Sequence, residues 1–187
     1  YLGMNTATGI VAALAEATLE GRAPGRDGDE AILATYYFPP FPLGIAAARR
    51  AGLGVRDAVR AASTAAAVLL LLAACFAGFV LAGGWNGAVL ATALLASTFF
   101  FRSSSLAGHT DLLPVAFSLA GLAAWERDRE VRGWLLPILA AAALLSKLTA
   151  LTLPAALVWC CLKDRRHAAL ARFVLRYALV IAVGVAI

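Results

Sequence analysis

The sequence predicts an all-α protein: a polytopic transmembrane helix bundle with interfacial helices in its first outer loop. Composition is one reason. Of 187 residues, 62% are hydrophobic and 14% charged, with a mean hydropathy of +0.83, against about 45–50% apolar and about 25% charged in soluble domains. Pattern is the other: uncharged apolar runs recur through residues 61–187, separated by short charged or glycine-rich segments. A helix needs about 20 such residues to cross a ~30 Å hydrocarbon core. The first 60 residues instead mix prolines, charges and aromatics. The chain therefore divides into an outer loop with interfacial helices, residues 1–60, and a transmembrane bundle, residues 61–187. A further span is expected before Tyr1, and the run at Ile187 is expected to continue.

Taken in order, residues 5–19 carry Ile10, Val11, Leu14 and Leu19 at helical spacing, with Asn5 or Thr6 as N-cap and Gly21 as stop. This helix is too polar to span and should lie on the surface or dock to the bundle. It lacks the basic start of a signal peptide. Residues 21–30 form a charged loop holding Asp27, Asp29 and Glu30. At residues 35–42, Pro39, Pro40 and Pro42 exclude a regular helix start before Pro42, while Tyr36, Tyr37 and Phe38 suit the headgroup zone. The apolar piece that ends at Arg49 and Arg50 is too short to span and reads as a second interfacial helix.

Residues 61–82 are the clearest span, uncharged and centred on 68–72. Gly83, Gly84 and Gly87 form a turn beside an interfacial Trp85, and the uncharged run from Gly83 to Phe101 is long enough to cross at ~1.5 Å per residue. Further apolar runs occupy residues 112–125, 134–146, 148–162 and 177–187, broken by charges at 126–130, by Lys147 and by 163–167.

A net charge of +5 would suggest nucleic acid in a soluble protein, but these cations sit beside apolar runs, where they meet headgroups or phosphates. Nucleic acid is not an expected partner; membrane lipids are. Cys75, Cys160 and Cys161 lie inside apolar runs without ligand spacing and read as small buried hydrophobes.

The most informative stretch is the polar island at residues 99–114, which holds Arg102, His109 and Asp111 between apolar runs. A carboxylate at bilayer depth costs about 2.5–3.5 kcal/mol on insertion scales. Asp111 therefore needs water, a partner or a chemical role. A solvated loop, an N-terminal helix cap and a functional site all remain open for it. If each run crosses once, residues 21–60, the island and Lys147 share one side. The Gly83–Gly87 turn and residues 126–132 and 163–176 share the other. Each side holds eight Lys and Arg, but beyond Ala61 the second side has eight against Arg102 and Lys147 alone. The positive-inside rule then places residues 126–132 and 163–176 in the cytoplasm. Asp27, Asp29, Glu30, His109, Asp111 and Lys147 would gather on the outer face with Arg49, Arg50, Arg56 and Arg60. Snorkelling to headgroups would equally explain those arginines and Lys147.

This order of parts resembles the polytopic GT-C glycosyltransferases, the group of dolichyl-phosphate mannosyltransferase-like and aminoarabinose transferase-like enzymes. An acidic outer loop leads to a proline-aromatic segment, Tyr36-Tyr37-Phe38-Pro39-Pro40-Phe41-Pro42-Leu43. An outer acid follows at His109-Thr110-Asp111-Leu112-Leu113, and a hairpin carries Leu144-Leu145-Ser146-Lys147-Leu148-Thr149. The resemblance implies transfer of a sugar from a polyprenyl-phosphate-linked donor to an acceptor hydroxyl on the outer face of the cytoplasmic membrane. It implies catalytic roles for Asp111, Asp29 and Glu30, and donor contacts for Lys147, His109, Arg102 and Tyr37. Some relatives use a divalent metal ion, and that cofactor stays open here.

One position departs from the pattern: the family's acid near the start of this loop is replaced by Met4-Asn5-Thr6. Asn orients a hydroxyl but cannot accept its proton. The base role then passes to Asp27, Asp29 or Glu30, or to an acid upstream, or the chain is not an active transferase.

Two other classes fit the composition. A transporter or flippase for a lipid or small anion would line a path with its charges, but residues 61–101 offer almost no polar side chains through their depth. A non-catalytic membrane subunit is favoured only by Asn5. Loop parity makes a direct prediction. In a background without native cysteines, single cysteines at Gly28 and Gly108 should label from outside with an impermeant reagent, and one at Asp164 only after permeabilisation. Opposite labelling of Gly28 and Gly108 would remove the shared face.

Overall fold

A computed structural model describes residues 6–20, 40–98, 101, 111–147 and 150–186. Among these residues there are eight helices and no strand. They are α1 (Thr6–Leu19), α2 (Pro40–Arg50), α3 (Val55–Leu81), α4 (Trp85–Ser97), α5 (Leu112–Arg127), α6 (Leu135–Ser146), α7 (Thr152–Lys163) and α8 (His167–Ala186). Two stretches are long and apolar enough to cross a membrane, Val55–Leu81 and His167–Gly184. The expectations for Asn5, for residues 21–39 and for residues 102–110 lie outside the described residues.

Helix α2 begins at Pro40, earlier than the prolines suggested. The first turn of a helix has no intrahelical acceptor for its N–H groups, so proline there forfeits nothing. Pro42, Pro114, Pro137 and Pro154 all stand at the third position of their helices. The same exemption moves the start of α7 to Thr152, four residues past Leu148. Helix α3 starts at Val55, six residues before the uncharged run, and carries Arg56 and Arg60 exposed on its first turns.

Helix α4 is shorter than the expected crossing and ends at Ser97. Thr98 adopts extended backbone (φ −69°, ψ 140°). The Ser97 and Thr98 hydroxyls donate to the carbonyls of Leu94 and Leu95 at 2.7 and 2.8 Å. Hydroxyls that bond back to the chain compete with the helical ladder. The resulting α4 rod is about 20 Å long at ~1.5 Å per residue.

The helices pack by size. More than half of the buried apolar residues are alanines, whereas Leu69, Leu72, Val89, Leu90, Leu175 and Leu179 are exposed. On α3 the buried stripe runs Ala58, Val59, Ser63, Ala66, Ala67, Leu70, Ala73, Ala74 and Ala77. Small residues inside and large apolar residues outside are the arrangement expected where the surroundings are as apolar as the core. Glycines permit the closest crossings. A Cβ at Gly78 would lie 2.4 Å from the carbonyl oxygen of Gly87, and one at Gly184 would lie 2.5 Å from Leu145 Cδ1.

Two clusters mark the two ends. One joins Ala12 and Ala15 of α1, Phe41 and Ile45 of α2, Ala58 and Val59 of α3, and Leu112 and Leu113 of α5. Arg49 fastens α1 to α2 there, its Nε donating to Glu16 Oε1 and its Nη1 to the Leu53 carbonyl, both at 2.7 Å. The other cluster joins Trp125, Val131, Leu136, Cys161, Ala169 and Phe173. Above it, Glu130 pairs with Arg166 and Arg172, each at 3.1 Å. Arg176 Nη1 donates to the carbonyls of Val131, Arg132 and Gly133, each at 2.8 Å.

The Gly78–Gly87 crossing yields a stability prediction. Gly78→Ala should push α3 and α4 apart and cost about 1–3 kcal/mol, the usual range for overpacking, read as a lower melting temperature in detergent. Gly44→Ala is the control, because a Cβ there meets only Ala62 at an ordinary 3.8 Å; its melting temperature should not fall.

Candidate functional site

Two isolated charges come together at one end of the bundle. Helices α5 and α6 are joined by the 128–134 turn and pack antiparallel, which brings the start of α5 to the end of α6. Asp111 occupies the N-cap position of α5, yet its side chain makes no capping bond to the helix (φ −76°, ψ −14°). Lys147 follows the last residue of α6 in extended backbone (φ −161°, ψ 128°). Its Nζ donates to Asp111 Oδ1 in an ion pair that bridges 36 positions of sequence. The Asp111 carboxylate is thus engaged by a partner, and its side chain does not cap the helix.

Each charge also sits where its helix favours it. An N-terminus carries a partial positive charge and a C-terminus a partial negative one, so an acid on α5 and a cation on α6 both suit their termini. The pair is partly exposed, with 35% of the Asp111 side chain and 27% of the Lys147 side chain accessible. Partly exposed ion pairs contribute roughly 0.2–1 kcal/mol. Asp111 and Lys147 are therefore held together weakly and stay within reach of a ligand.

The pair forms the head of a cleft of about 620 Å³. One wall is a single face of α5: Asp111, Pro114 and Val115, then Ser118 and Leu119, then Leu122. These recur every three to four residues, as one face of a helix requires, and extend about 16 Å at ~1.5 Å per residue. The facing wall is Ala150, Thr152, Leu153 and Ala156. Gly121 lets Leu153 close the floor, since a Cβ there would lie 2.6 Å from Leu153 Cδ2. Among the described lining residues only Asp111 and Lys147 are charged. Ser118 and Thr152 supply hydroxyls, and the rest is apolar.

Such a site offers an ammonium for an anion, a carboxylate for a proton and a trough for an apolar chain. Among the described residues no three His, Cys, Asp or Glu side chains gather as a metal-binding group, and the cleft contributes Asp111 alone. Among the described residues that is short of the several oxygens a hard divalent cation takes.

The other expected site residues divide in two. Tyr37, Asp27, Asp29, Glu30, Arg102 and His109 lie outside the described residues. Arg49 is engaged with Glu16 and Leu53, and Arg50, Arg56 and Arg60 are exposed away from the cleft lining. Ser118 and Thr152 are additions. Ser118 stands seven residues after Asp111, two helical turns along the same face, which is the one sequence signal that marks it.

Comparison of the chain with family models, curated proteins and solved structures finds no match.

The ion pair predicts a coupling energy. Lys147→Ala and Asp111→Ala should each lower stability, and the double variant should lose less than the sum. The expected interaction is about 0.5–1 kcal/mol in a double-mutant cycle, within the range for partnered charges. Strict additivity in detergent unfolding would show that the two side chains do not meet.

Proposed function

We propose that this chain belongs to a multi-pass membrane glycosyltransferase that moves a sugar from a polyprenyl-phosphate-linked donor to an acceptor hydroxyl. The observation that carries the reading is the carboxylate–ammonium pair at the head of an apolar cleft. A lipid-linked sugar needs those three elements in that order. Its chain lies along the apolar face of α5, its phosphate meets Lys147, and its anomeric carbon stands near Asp111.

In the reaction the acceptor oxygen bonds to the anomeric carbon and its proton passes to the Asp111 carboxylate. The bond from that carbon to the phosphate oxygen breaks, and its electron pair leaves with the phosphate. Lys147 stabilises the charge that builds there; such preorganised cations act where charge develops in the transition state. Asp29 and Glu30 belong to this proposal as further acids from the outer loop, and His109, Arg102 and Tyr37 as donor contacts.

Packing and charge support the membrane placement in this proposal. Helix α3, with large apolar side chains outward and alanines inward, is suited to lipid on its exposed face. The short helices α4, α6 and α7 join it in the proposed bundle as neighbours that cross or enter the bilayer. At the end away from the cleft, exposed Trp85, Trp134 and Trp159 accompany Arg127, Arg129, Arg132, Lys163 and Arg165. In this reading the tryptophans mark a membrane interface, and the short-loop cations beyond Ala61 make it the cytoplasmic one, with the cleft on the outer face. A transport path would need polar groups through its depth, and among the described lining residues the cleft has only Ser118 and Thr152 below its head.

The test is sugar transfer by purified variants. Asn keeps the shape of Asp but cannot accept a proton. Asp111→Asn should therefore retain folding and insertion yet lower transfer at least ~100-fold, the scale of losing a general base. Lys147→Ala should weaken use of the donor with expression intact, and Lys147→Arg should keep part of the activity. Near wild-type transfer by Asp111→Asn would make that residue structural and end the assignment.

A further inference from the structure

We propose that the Asp111–Lys147 ion pair is a latch that the lipid phosphate opens, so that donor binding itself unmasks the carboxylate. This inference rests on the donor reading given under the proposed function and adds an order of events to it.

In the unliganded cleft the ammonium of Lys147 is bound to Asp111 Oδ1. A carboxylate oxygen already occupied by that ammonium is not open to the hydroxyl of an acceptor. The same ammonium is the one described cation lining the cleft. A phosphate whose chain lies along Val115, Leu119 and Leu122 therefore reaches its counter-ion by competing with Asp111.

The competition favours the phosphate. The existing pair is partly exposed on both sides and so belongs to the weak class of ion pairs. The donor phosphate, a diester of the lipid and the sugar, matches the single charge and two acceptor oxygens of the carboxylate, and its chain adds contact along Val115, Leu119 and Leu122. Lysine serves it as a compact point charge on a flexible four-carbon stem, and Lys147 stands beyond the end of α6, where the chain has left the helix. The backbone of Asp111 is set at the start of α5, and its side chain has no bond to that helix. When Lys147 moves to the phosphate, the carboxylate is released to the acceptor hydroxyl. The base is thus masked until a donor is seated, and donor binds before acceptor.

Binding without turnover tests this, using the purified full chain in detergent and farnesyl phosphate as probe. Removing the competitor should tighten the site: Asp111→Asn is expected to bind farnesyl phosphate about 5-fold more strongly than wild type, the equivalent of an exposed pair. Lys147→Ala should bind it at least about 10-fold more weakly, and the gain from Asp111→Asn should disappear in the Lys147→Ala background. Inorganic phosphate, which lacks the chain, should bind at least about 10-fold more weakly to wild type.

No tightening in Asp111→Asn, or an equal gain with and without Lys147, overturns the latch while leaving a lipid-phosphate site in place. Equal affinity for inorganic phosphate would take the apolar cleft out of the binding event and overturn opening by a lipid. No binding of farnesyl phosphate to wild type or to Asp111→Asn overturns the donor reading itself. Asp111→Ser carries the same expectation if Asp111→Asn fails to fold, since serine also suits the N-cap position.

Discussion

The α5–α6 hairpin rests on a turn that the chain would not choose by itself. Val131 is fully buried with φ at 52°, a left-handed conformation that costs a β-branched residue about 1–2 kcal/mol. Such strain persists only where the surroundings over-determine it. Here Arg176 binds three successive carbonyls of the turn, and its guanidinium lies 5.0 Å from the Trp134 ring. Arg172 and Arg166 hold Glu130 beside it. The last helix thus sets the turn, the turn sets α5 against α6, and that pairing delivers Asp111 to Lys147 at the opposite end.

The division of labour between the ends follows from this. At one end, arginines bind backbone carbonyls and Glu130. At the other, one lysine meets one carboxylate with both partly open to the surroundings. The proposed exchange of partners needs the second condition, and the first holds the turn that sets α5 against α6. The helices can approach closely because alanine and glycine occupy the crossings. Large side chains are left for the outside, where they gain nothing from water and suit lipid.

Much of the helical order was legible. The charged breaks at 126–130, Lys147 and 163–167 fall at helix ends, since an ionised side chain is cheapest where a helix leaves an apolar medium. The starts were read less well. At α2, Pro39, Pro40 and Pro42 read as barriers, although Pro40 and Pro42 stand in its first turn, where no N–H is required, as Pro114, Pro137 and Pro154 do in theirs. Thr98 ended α4 early through its own hydroxyl, a local effect that an apolar run conceals.

By itself the sequence determined that this chain is helical and apolar, and that Asp111 and Lys147 are isolated charges bordering apolar runs. Composition and spacing suffice for that, because isolated charges in such a chain are costly wherever they lack water or a partner. Only the tertiary structure decided that the two meet, and that Ser118 and Thr152 share their cleft. Helices that are apolar on nearly every side carry no periodicity to say which face is covered. The choice falls instead to antiparallel packing, to the glycine notch at Gly121 and to the clamped turn at Val131.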